Sequence, residues 1–350
     1  MIPTQPGLFG LCKTNRDFTQ KNAWGKNQFN SAFPAALCCY LASKQLEANY
    51  LAIQSGSFCH STLAIEAVFG LSPHDPDLYF AFEAQHTPYQ KYVIGSLPRT
   101  DLVLQRESTG ECLAGLEIKL TALPDQTTCE LEESNYGCEI VVRPDTIVYL
   151  ACSLAGKLTD SIKAEIPTLP ISDWSQSRAV LPHISTIVET IETIALAAES
   201  TQKSFLLQPI WKTKGKSPQL AEQCLDVFVW SDAGFTFLLS KLANVNAGAM
   251  EINRQTRTVI WLFKMLSDLK SYGKFDHRRI LDLLSYNTKN DKAFSSSGKV
   301  TYPYMACPRL REPIISKQEI KEIILGKGQN LLSPERRFDA IIYNSPELFT

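Results

Sequence analysis

The feature that most constrains this chain is a series of short β-rich segments between residues 78 and 120. Pro, Gly, Ser and His residues separate them, and the segments are Leu78-Tyr-Phe-Ala-Phe, Tyr92-Val-Ile, Asp101-Leu-Val-Leu and Leu113 to Leu120. Runs of β-branched, aromatic and other apolar residues bounded by turn-forming residues are typical of strands. The pattern therefore predicts a β-sheet in the first half of the chain.

Helices are predicted on both sides of this sheet, because apolar residues recur there at helical spacing. The predicted helices span residues 31–53, 60–69, 185–198, 234–244, 253–271, 278–286 and 316–326. Two further strands are predicted over residues 140–143 and 146–150. Together these elements predict an α/β fold.

The distribution of charge divides the chain near residue 200. Residues 1–200 contain 13 Lys and Arg against 22 Asp and Glu, whereas residues 201–350 contain 22 against 14. A basic part joined to an acidic part indicates a polyanion-binding region beside a region that supplies carboxylates. We therefore expect a core at 1–200 and a basic recognition and dimerisation part at 201–350, which could be continuous with that core. Solvated charge scattered over surface helices is the alternative.

The sequence shows no sign of a membrane or secretory protein. Its apolar runs are far shorter than the roughly 18 residues of a membrane span, and its first residues lack a signal-peptide pattern. A cytoplasmic protein is expected, in which the ten cysteines stay reduced. Their spacing does not match a structural zinc site.

Two of the β-rich segments predict a hairpin that carries charged residues. The stretch Glu107-Ser-Thr-Gly-Glu is a turn signal. With the turn centred on Thr109, Asp101 faces Glu117, and directly opposed Cβ atoms lie roughly 4.5 to 5.5 Å apart. Lys119 points to the same side as Glu117, because side chains alternate along a strand.

These residue types suit phosphodiester hydrolysis. Oxygen ligands favour Mg²⁺, with Mn²⁺ as a substitute, and the predicted ligands are Asp101, Glu117 and the backbone carbonyl of Ile118. Lys119 would orient or activate the attacking water. Glu66, on the preceding predicted helix, is a further candidate ligand. An exposed hairpin with ordinary cross-strand charge pairs is the structural alternative.

The same short pattern occurs elsewhere without forming a site. Glu319-Ile-Lys321 repeats it within a predicted helix, where residues i and i+2 lie about 200° apart around the axis. Asp268-Leu-Lys270 also lies in a predicted helix, so its two charged side chains point in different directions as well. The copy at Glu117 is therefore the one with an acid opposite it on a strand.

Basic residues in the second half are candidates for DNA contact, through bidentate contacts to guanine or through phosphate binding. They are Lys212, Lys214, Lys216, Arg254, Arg257, Arg278, Arg279, Arg309 and Arg311. Other enzyme classes lack their motifs, because no phosphate-binding Gly-x-x-x-x-Gly-Lys loop, dinucleotide-binding glycine pattern or Gly-x-Ser-x-Gly elbow is present.

Two longer stretches resemble the HindVP family of type II restriction endonucleases, within the PD-(D/E)xK nuclease superfamily. One runs from Gly95-Ser-Leu-Pro-Arg-Thr-Asp to Gly115-Leu-Glu-Ile-Lys, and the other is Gln208-Pro-Ile-Trp-Lys-Thr-Lys-Gly-Lys with Val227-Phe-Val-Trp-Ser-Asp downstream. Pro98 stands three residues before Asp101 instead of next to it, a departure that leaves the ligands intact.

The resemblance implies a restriction-endonuclease-like core, with a central mixed β-sheet flanked by helices, and a mainly helical basic C-terminal DNA-binding part. It implies Mg²⁺-dependent double-strand cuts in DNA at a short palindrome of the form G-R-C-G-Y-C, made by a homodimer. A cognate methyltransferase would act on the same site without a stable complex. The alternatives are a non-catalytic DNA-binding protein and a nuclease of this superfamily from another repair or defence system.

Overall fold

A computed structural model describes the chain chiefly over residues 45–118, 140–201, 227–244 and 251–286. Shorter described stretches lie at residues 11, 13–16, 35, 38–39, 42–43, 205–209, 211–214, 217–220, 224–225, 294–296 and 315–316. Structural statements below refer to these residues.

Strands are found on both sides of residue 200. They are β1 (Glu47–Gln54), β2 (Ser57–Ala64), β3 (Leu78–Ala84), β4 (Thr100–Arg106), β5 (Cys112–Leu116), β6 (Ile140–Val142), β7 (Phe205–Pro209), β8 (Trp211–Lys214), β9 (Ser217–Leu220), β10 (Cys224–Leu225), β11 (Val227–Ser231), β12 (Phe294–Ser296) and β13 (Ile315–Ser316).

The helices lie between and after these strands. They are α1 (Ile65–Phe69), α2 (Pro144–Ala155), α3 (Asp160–Glu165), α4 (Ser177–Val180), α5 (Ile184–Thr201), α6 (Asp232–Asn244), α7 (Arg254–Tyr272) and α8 (His277–Leu283). The chain thus has the mixed α/β composition that the sequence predicts.

The β4–β5 hairpin belongs to a three-stranded antiparallel sheet in the order β3-β4-β5. The central strand β4 contains Leu102, Val103 and Leu104, which are all fully buried. A strand buried on both faces has a continuous apolar run instead of an alternating one. This burial fixes the strand that carries Asp101.

A separate four-stranded sheet has the order β2-β1-β11-β7. Strand β1 pairs with β11 in parallel, and the other pairs are antiparallel. A mixed sheet is therefore present, but the candidate catalytic hairpin is not part of it. Among the described strands there are several small sheets and not one central sheet.

Helices from both halves of the chain form the main core. Helix α5 packs against α6 and α7, and α2 packs against α7. The stretch Ser177–Glu199 is long and apolar enough to cross a membrane by length and composition alone, a test that core helices also pass. Within it Ile187, Val188 and Ile191 are buried in this core.

Several predicted elements differ from the structure. Residues 47–54 form β1 instead of the end of a long helix, and residues 57–64 form β2 before the short helix α1. Ser55 and Gly56 have φ of 50° and 73°, the backbone of a tight two-residue hairpin turn. Cross-strand pairing therefore overrides the helical spacing that the sequence shows.

The run from Thr146 to Leu150 is helical, within α2, and the predicted strand is wrong there. Ser316 lies in β13 and does not cap a helix, and the residues after it are outside the described residues. The predicted helices at 185–198, 234–244, 253–271 and 278–286 are confirmed with shifts at their ends.

Candidate active site

The predicted hairpin is formed by β4 and β5. Its register begins with Leu102 opposite Leu116 and holds for three consecutive pairs, before it shifts near the turn. This is the register that the sequence predicts. Carried one residue further, it places Asp101 opposite Glu117 at the open end of the hairpin.

Hydrogen bonds tie the two acidic residues to each other's strands. The backbone N–H of Ile118 donates to Asp101 Oδ2 over 2.7 Å. The hydroxyl of Thr100 lies 3.0 Å from the carbonyl oxygen of Leu116 and 3.2 Å from Glu117 Oε2. The structure therefore brings Asp101, Glu117 and Ile118 together at one end of the hairpin.

Helix α2 covers the Glu117 carboxylate. The hydroxyl of Thr146 donates to Glu117 Oε1 over 2.8 Å, and the hydroxyl of Tyr149 donates to the carbonyl oxygen of Gly115 over 2.9 Å. Glu117 is only 6% exposed. Since a buried carboxylate is costly without hydrogen bonds, these partners stabilise it within the fold.

A second buried acidic residue, Asp232 at the start of α6, contacts side chains at the C-terminal end of α2. Asp232 is fully buried, and its Oδ2 accepts hydrogen bonds from Lys157 over 2.9 Å and from the hydroxyl of Ser153. Burial lowers the pKa of Lys157, while the charge of Asp232 acts in the opposite direction. The Tyr149 hydroxyl lies 3.1 Å from the same Asp232 oxygen.

Two further residues were predicted for this site, Lys119 and Glu66. Lys119 lies outside the described residues. Glu66 is exposed in the first turn of α1. In the described part of the chain, no group of three or more His, Cys, Asp or Glu side chains is placed to hold a metal ion. Glu66 therefore does not join Asp101 and Glu117 in such a group.

The hairpin end nevertheless fits a hard divalent cation. Mg²⁺ prefers oxygen ligands and is commonly bound through one or two carboxylates while it keeps several waters. The donor groups predicted for this site, the carboxylates of Asp101 and Glu117 and the backbone carbonyl of Ile118, all supply oxygen atoms. Their hydrogen bonds leave capacity for a metal, because an ionised carboxylate has about four lone-pair sites.

Apart from the buried Arg257, the predicted DNA-contacting residues fall into three groups. Arg254, Arg278 and Arg279 are exposed. Lys212 and Lys214 lie on β8, which pairs with β9, and only their backbone is described. Outside the described residues are Lys216, Arg309 and Arg311.

Arg278 is linked to the segment that leads into β4. Its guanidinium donates to the hydroxyl of Ser96, and Phe275 pairs with Val93 in a parallel bridge. Ser96 precedes Asp101 by five residues. The exposed positive charge of Arg278, on α8, therefore lies against the loop that precedes the candidate site.

The burial of Arg257 contradicts its predicted contact with DNA. It is 1% exposed, its guanidinium lies 4.8 Å from the centre of the Trp261 ring, and it donates to the carbonyl oxygen of Ser285. A residue buried in this way packs within the core and does not reach DNA.

The sequence analysis missed Thr100, Thr146 and Tyr149 as partners of the hairpin end. Thr146 and Tyr149 fell within a run of β-branched and aromatic residues that favours a strand. Pro144 and Asp145 were the available signal, because proline and acidic residues are favoured in the first turn of a helix.

Comparisons with known proteins identify the family to which this chain belongs. The profile of the HindVP restriction endonuclease family matches residues 24–349. The chain is 50% identical over 348 residues to a Haemophilus influenzae protein named "Probable type II restriction enzyme HindVP", covering 99% of this chain and 95% of that protein.

A second relative is the Herpetosiphon aurantiacus protein named "Type II restriction enzyme HgiDI", 44% identical over 353 residues, with 99% of this chain and 97% of that protein covered. No solved structure matches significantly. The matches extend over nearly the whole length of each protein. This chain therefore belongs to the HindVP restriction endonuclease family, whose relatives are type II restriction enzymes, that is, site-specific deoxyribonucleases.

Proposed function

We propose that this chain makes Mg²⁺-dependent double-strand cuts in DNA at a short palindrome, with Asp101, Glu117 and Lys119 as its active site. The observation that carries this proposal is the hydrogen bond from Ile118 N–H to Asp101 beside the buried Glu117 carboxylate. It supports a paired-carboxylate site of the PD-(D/E)xK type in a chain whose family cleaves DNA.

Each residue has a distinct part in this proposal. Asp101, Glu117 and the carbonyl of Ile118 hold the ion, and Lys119 orients the attacking water and steadies the scissile phosphate. When bound, Mg²⁺ lowers the pKa of water and stabilises the charge that develops on the phosphate. Burial around Glu117 excludes bulk water and strengthens these electrostatic interactions.

DNA binding is assigned to the exposed basic residues. Arg278 and Arg279, at the start of α8, are proposed to bind the phosphate backbone near the site, and Arg254 to extend this surface along α7. Lys212, Lys214, Lys216, Arg309 and Arg311 remain proposed contacts.

The family resemblance supports the remaining details. A G-R-C-G-Y-C site is a palindrome and calls for a two-fold dimer, with one active site for each strand. We propose a cytoplasmic homodimer whose cognate methyltransferase acts on the same DNA site without forming a stable complex, and Mn²⁺ as a substitute for Mg²⁺.

We also propose that the nuclease core at 1–200 and the basic part at 201–350 form one continuous unit. Strand β1 pairs with β11, and helix α5 packs against α6 and α7. These contacts cross the position where the charge of the sequence changes.

Plasmid digestion tests the proposed function. The purified protein is incubated with plasmid DNA in Mg²⁺, in Mn²⁺ and in EDTA, beside the Lys119→Ala variant, and the fragment ends are sequenced. Discrete metal-dependent fragments that share a palindromic end are expected, with no cutting by the variant. A wild-type protein that binds DNA but leaves it intact in both metals would instead be a non-catalytic binding protein. Fragments without a common sequence would indicate a nuclease of another system.

A further inference from the structure

Helix α2 presents a line of polar side chains inside an otherwise apolar core. Thr146, Tyr149 and Ser153 are all buried, and Lys157 follows just after the helix. Their spacing of three, four and four residues places them on one face of a helix. Buried polar groups at such positions need specific partners, and the partners here are on β5 and at Asp232.

The two ends of this line have different partners. At one end Thr146 donates to the Glu117 carboxylate. Tyr149 lies between the two ends, because its hydroxyl is 2.9 Å from the carbonyl oxygen of Gly115 and 3.1 Å from Asp232 Oδ2. At the other end Ser153 and Lys157 both donate to Asp232. Asp232 begins α6 directly after β11, so the line joins the hairpin to the second sheet through α2.

Thr146 is the better-defined hydroxyl donor to Glu117. Thr100 also lies near that carboxylate, but its one proton has a closer acceptor in the Leu116 carbonyl, at 3.0 Å against 3.2 Å. The Thr146 hydroxyl is 2.8 Å from Glu117 Oε1. Its hydrogen bond therefore favours one orientation of the buried carboxylate.

We propose that Thr146 is a positioning residue that orients Glu117 for metal binding, and that Tyr149 supports it by holding β5 at Gly115. This inference rests on the proposed function of Glu117 as a metal ligand. Outer hydrogen-bond partners of metal-binding carboxylates typically change metal affinity or activity by about 10-fold to 100-fold. Tyr149 contacts Gly115, which lies two residues before Glu117. Removal of its hydroxyl should therefore have a smaller effect on metal binding than removal of the Thr146 hydroxyl.

Metal binding without DNA tests the proposal. Mn²⁺ is titrated into the full-length protein, and free Mn²⁺ is followed by electron paramagnetic resonance. Thr146→Val, which keeps the shape and removes the hydroxyl, is expected to weaken Mn²⁺ binding by about 10-fold to 100-fold. It should raise the Mg²⁺ concentration needed for half-maximal cleavage to a similar extent. Thr146→Ser, which retains the hydroxyl, should restore both values, and Tyr149→Phe should give an intermediate loss.

Thr258→Val is the matched control. Thr258 is also buried on a helix, but its hydroxyl donates to the carbonyl oxygen of Arg254 in the same helix. This variant should leave Mn²⁺ affinity unchanged. If Thr146→Val does not fold, Thr146→Ala is used instead. It removes the same hydroxyl and does not put a methyl group in its place.

Glu117→Gln separates the two proposals. If Glu117→Gln abolishes Mn²⁺ binding while a folded Thr146→Val protein binds Mn²⁺ like the wild type, the role of Thr146 is wrong and the proposed site stands. If Glu117→Gln also leaves Mn²⁺ binding and cleavage unchanged, the proposed site itself is wrong.

Discussion

At the scale of single residues, the buried carboxylate of Glu117 at the hairpin end is subject to two opposing requirements. Glu117 must present carboxylate oxygens to a cation, yet burying a polar group costs free energy unless it is hydrogen-bonded. The hydroxyl of Thr146 and the nearby hydroxyl of Thr100 offset part of that cost. Asp101 is half-buried and accepts its hydrogen bond from the backbone of Ile118. Each of these donors is a neutral hydroxyl or backbone N–H group.

His86 predicts a specific pH dependence of stability. It is 7% exposed, its Nδ1 has no hydrogen-bond partner among the described residues, and burial lowers its pKa from the ordinary 6.5 to about 4. Between these values the unfolded chain takes up a proton that folded His86 does not. The free energy of unfolding should therefore fall as pH drops from about 6.5 to about 4.

Urea unfolding at about pH 7 and about pH 5 measures this effect in the wild type and in His86→Asn. The wild type should lose more stability across this window than the variant, whose side chain does not titrate. Arg99 and Asp145 line the same small cavity as His86 and are present in both proteins. Equal losses in the two proteins would contradict the burial of a neutral His86.

At the scale of elements, β5 lies between helix α2 and the segment that follows β3. Tyr149 holds the carbonyl oxygen of Gly115 from the helix side. A Cβ atom placed on Gly115 would lie 3.2 Å from both Cβ and Cγ of His86. This close approach explains why a residue without a side chain stands two positions before Glu117.

Gly115→Ala should therefore destabilise the protein by about 1 to 3 kcal/mol, the usual cost of overpacking a core. His86→Ala removes the ring but keeps Cβ, and it should therefore relieve part of this cost in the double variant. Urea unfolding of the wild type, both single variants and the double variant gives the coupling energy. Effects that simply add would show that the two residues are not in contact as described.

The elements also show which parts of the fold the sequence could predict. The register of β4 and β5 followed from a clear turn signal and two apolar runs, and so did the pairing of Asp101 with Glu117. Thr146 could not be found in this way, because its β-branched and aromatic neighbours favour a strand. Tertiary packing, which buries every residue from Thr146 to Ala155, stabilises that segment as a helix. The β1–β2 hairpin was missed for a similar reason, since local spacing favoured a helix.

At the scale of the whole molecule, the change of charge near residue 200 does not coincide with a gap in the core. Strand β1 lies between β2 and β11, and β6 pairs with β12. The buried cluster contains Ile187 from one side of residue 200 and Leu238 from the other. Charge asymmetry in a sequence reports surface chemistry, whereas domain limits depend on contacts that only the folded chain shows.

A fragment ending at residue 200 should therefore not fold by itself. It would lack β11, α6 and α7, which cover β1 and α5. Circular dichroism and urea titration of this fragment should show no cooperative unfolding, in contrast to the full chain. A sharp transition with native-like helix content would show that residues 1–200 are an independent domain.

Single-turnover DNA cleavage by hairpin variants tests the proposed active site most directly. Asp101→Asn and Glu117→Gln remove one charge each without changing side-chain size, and Glu111→Gln makes the same change at an exposed position of the same hairpin. The first two variants should lose more than the roughly 100-fold that loss of an outer hydrogen-bond partner causes, while DNA binding in EDTA is retained. Glu111→Gln should cut at the wild-type rate. Near-wild-type cleavage by folded Asp101→Asn or Glu117→Gln protein would contradict the assignment of the active site to this hairpin.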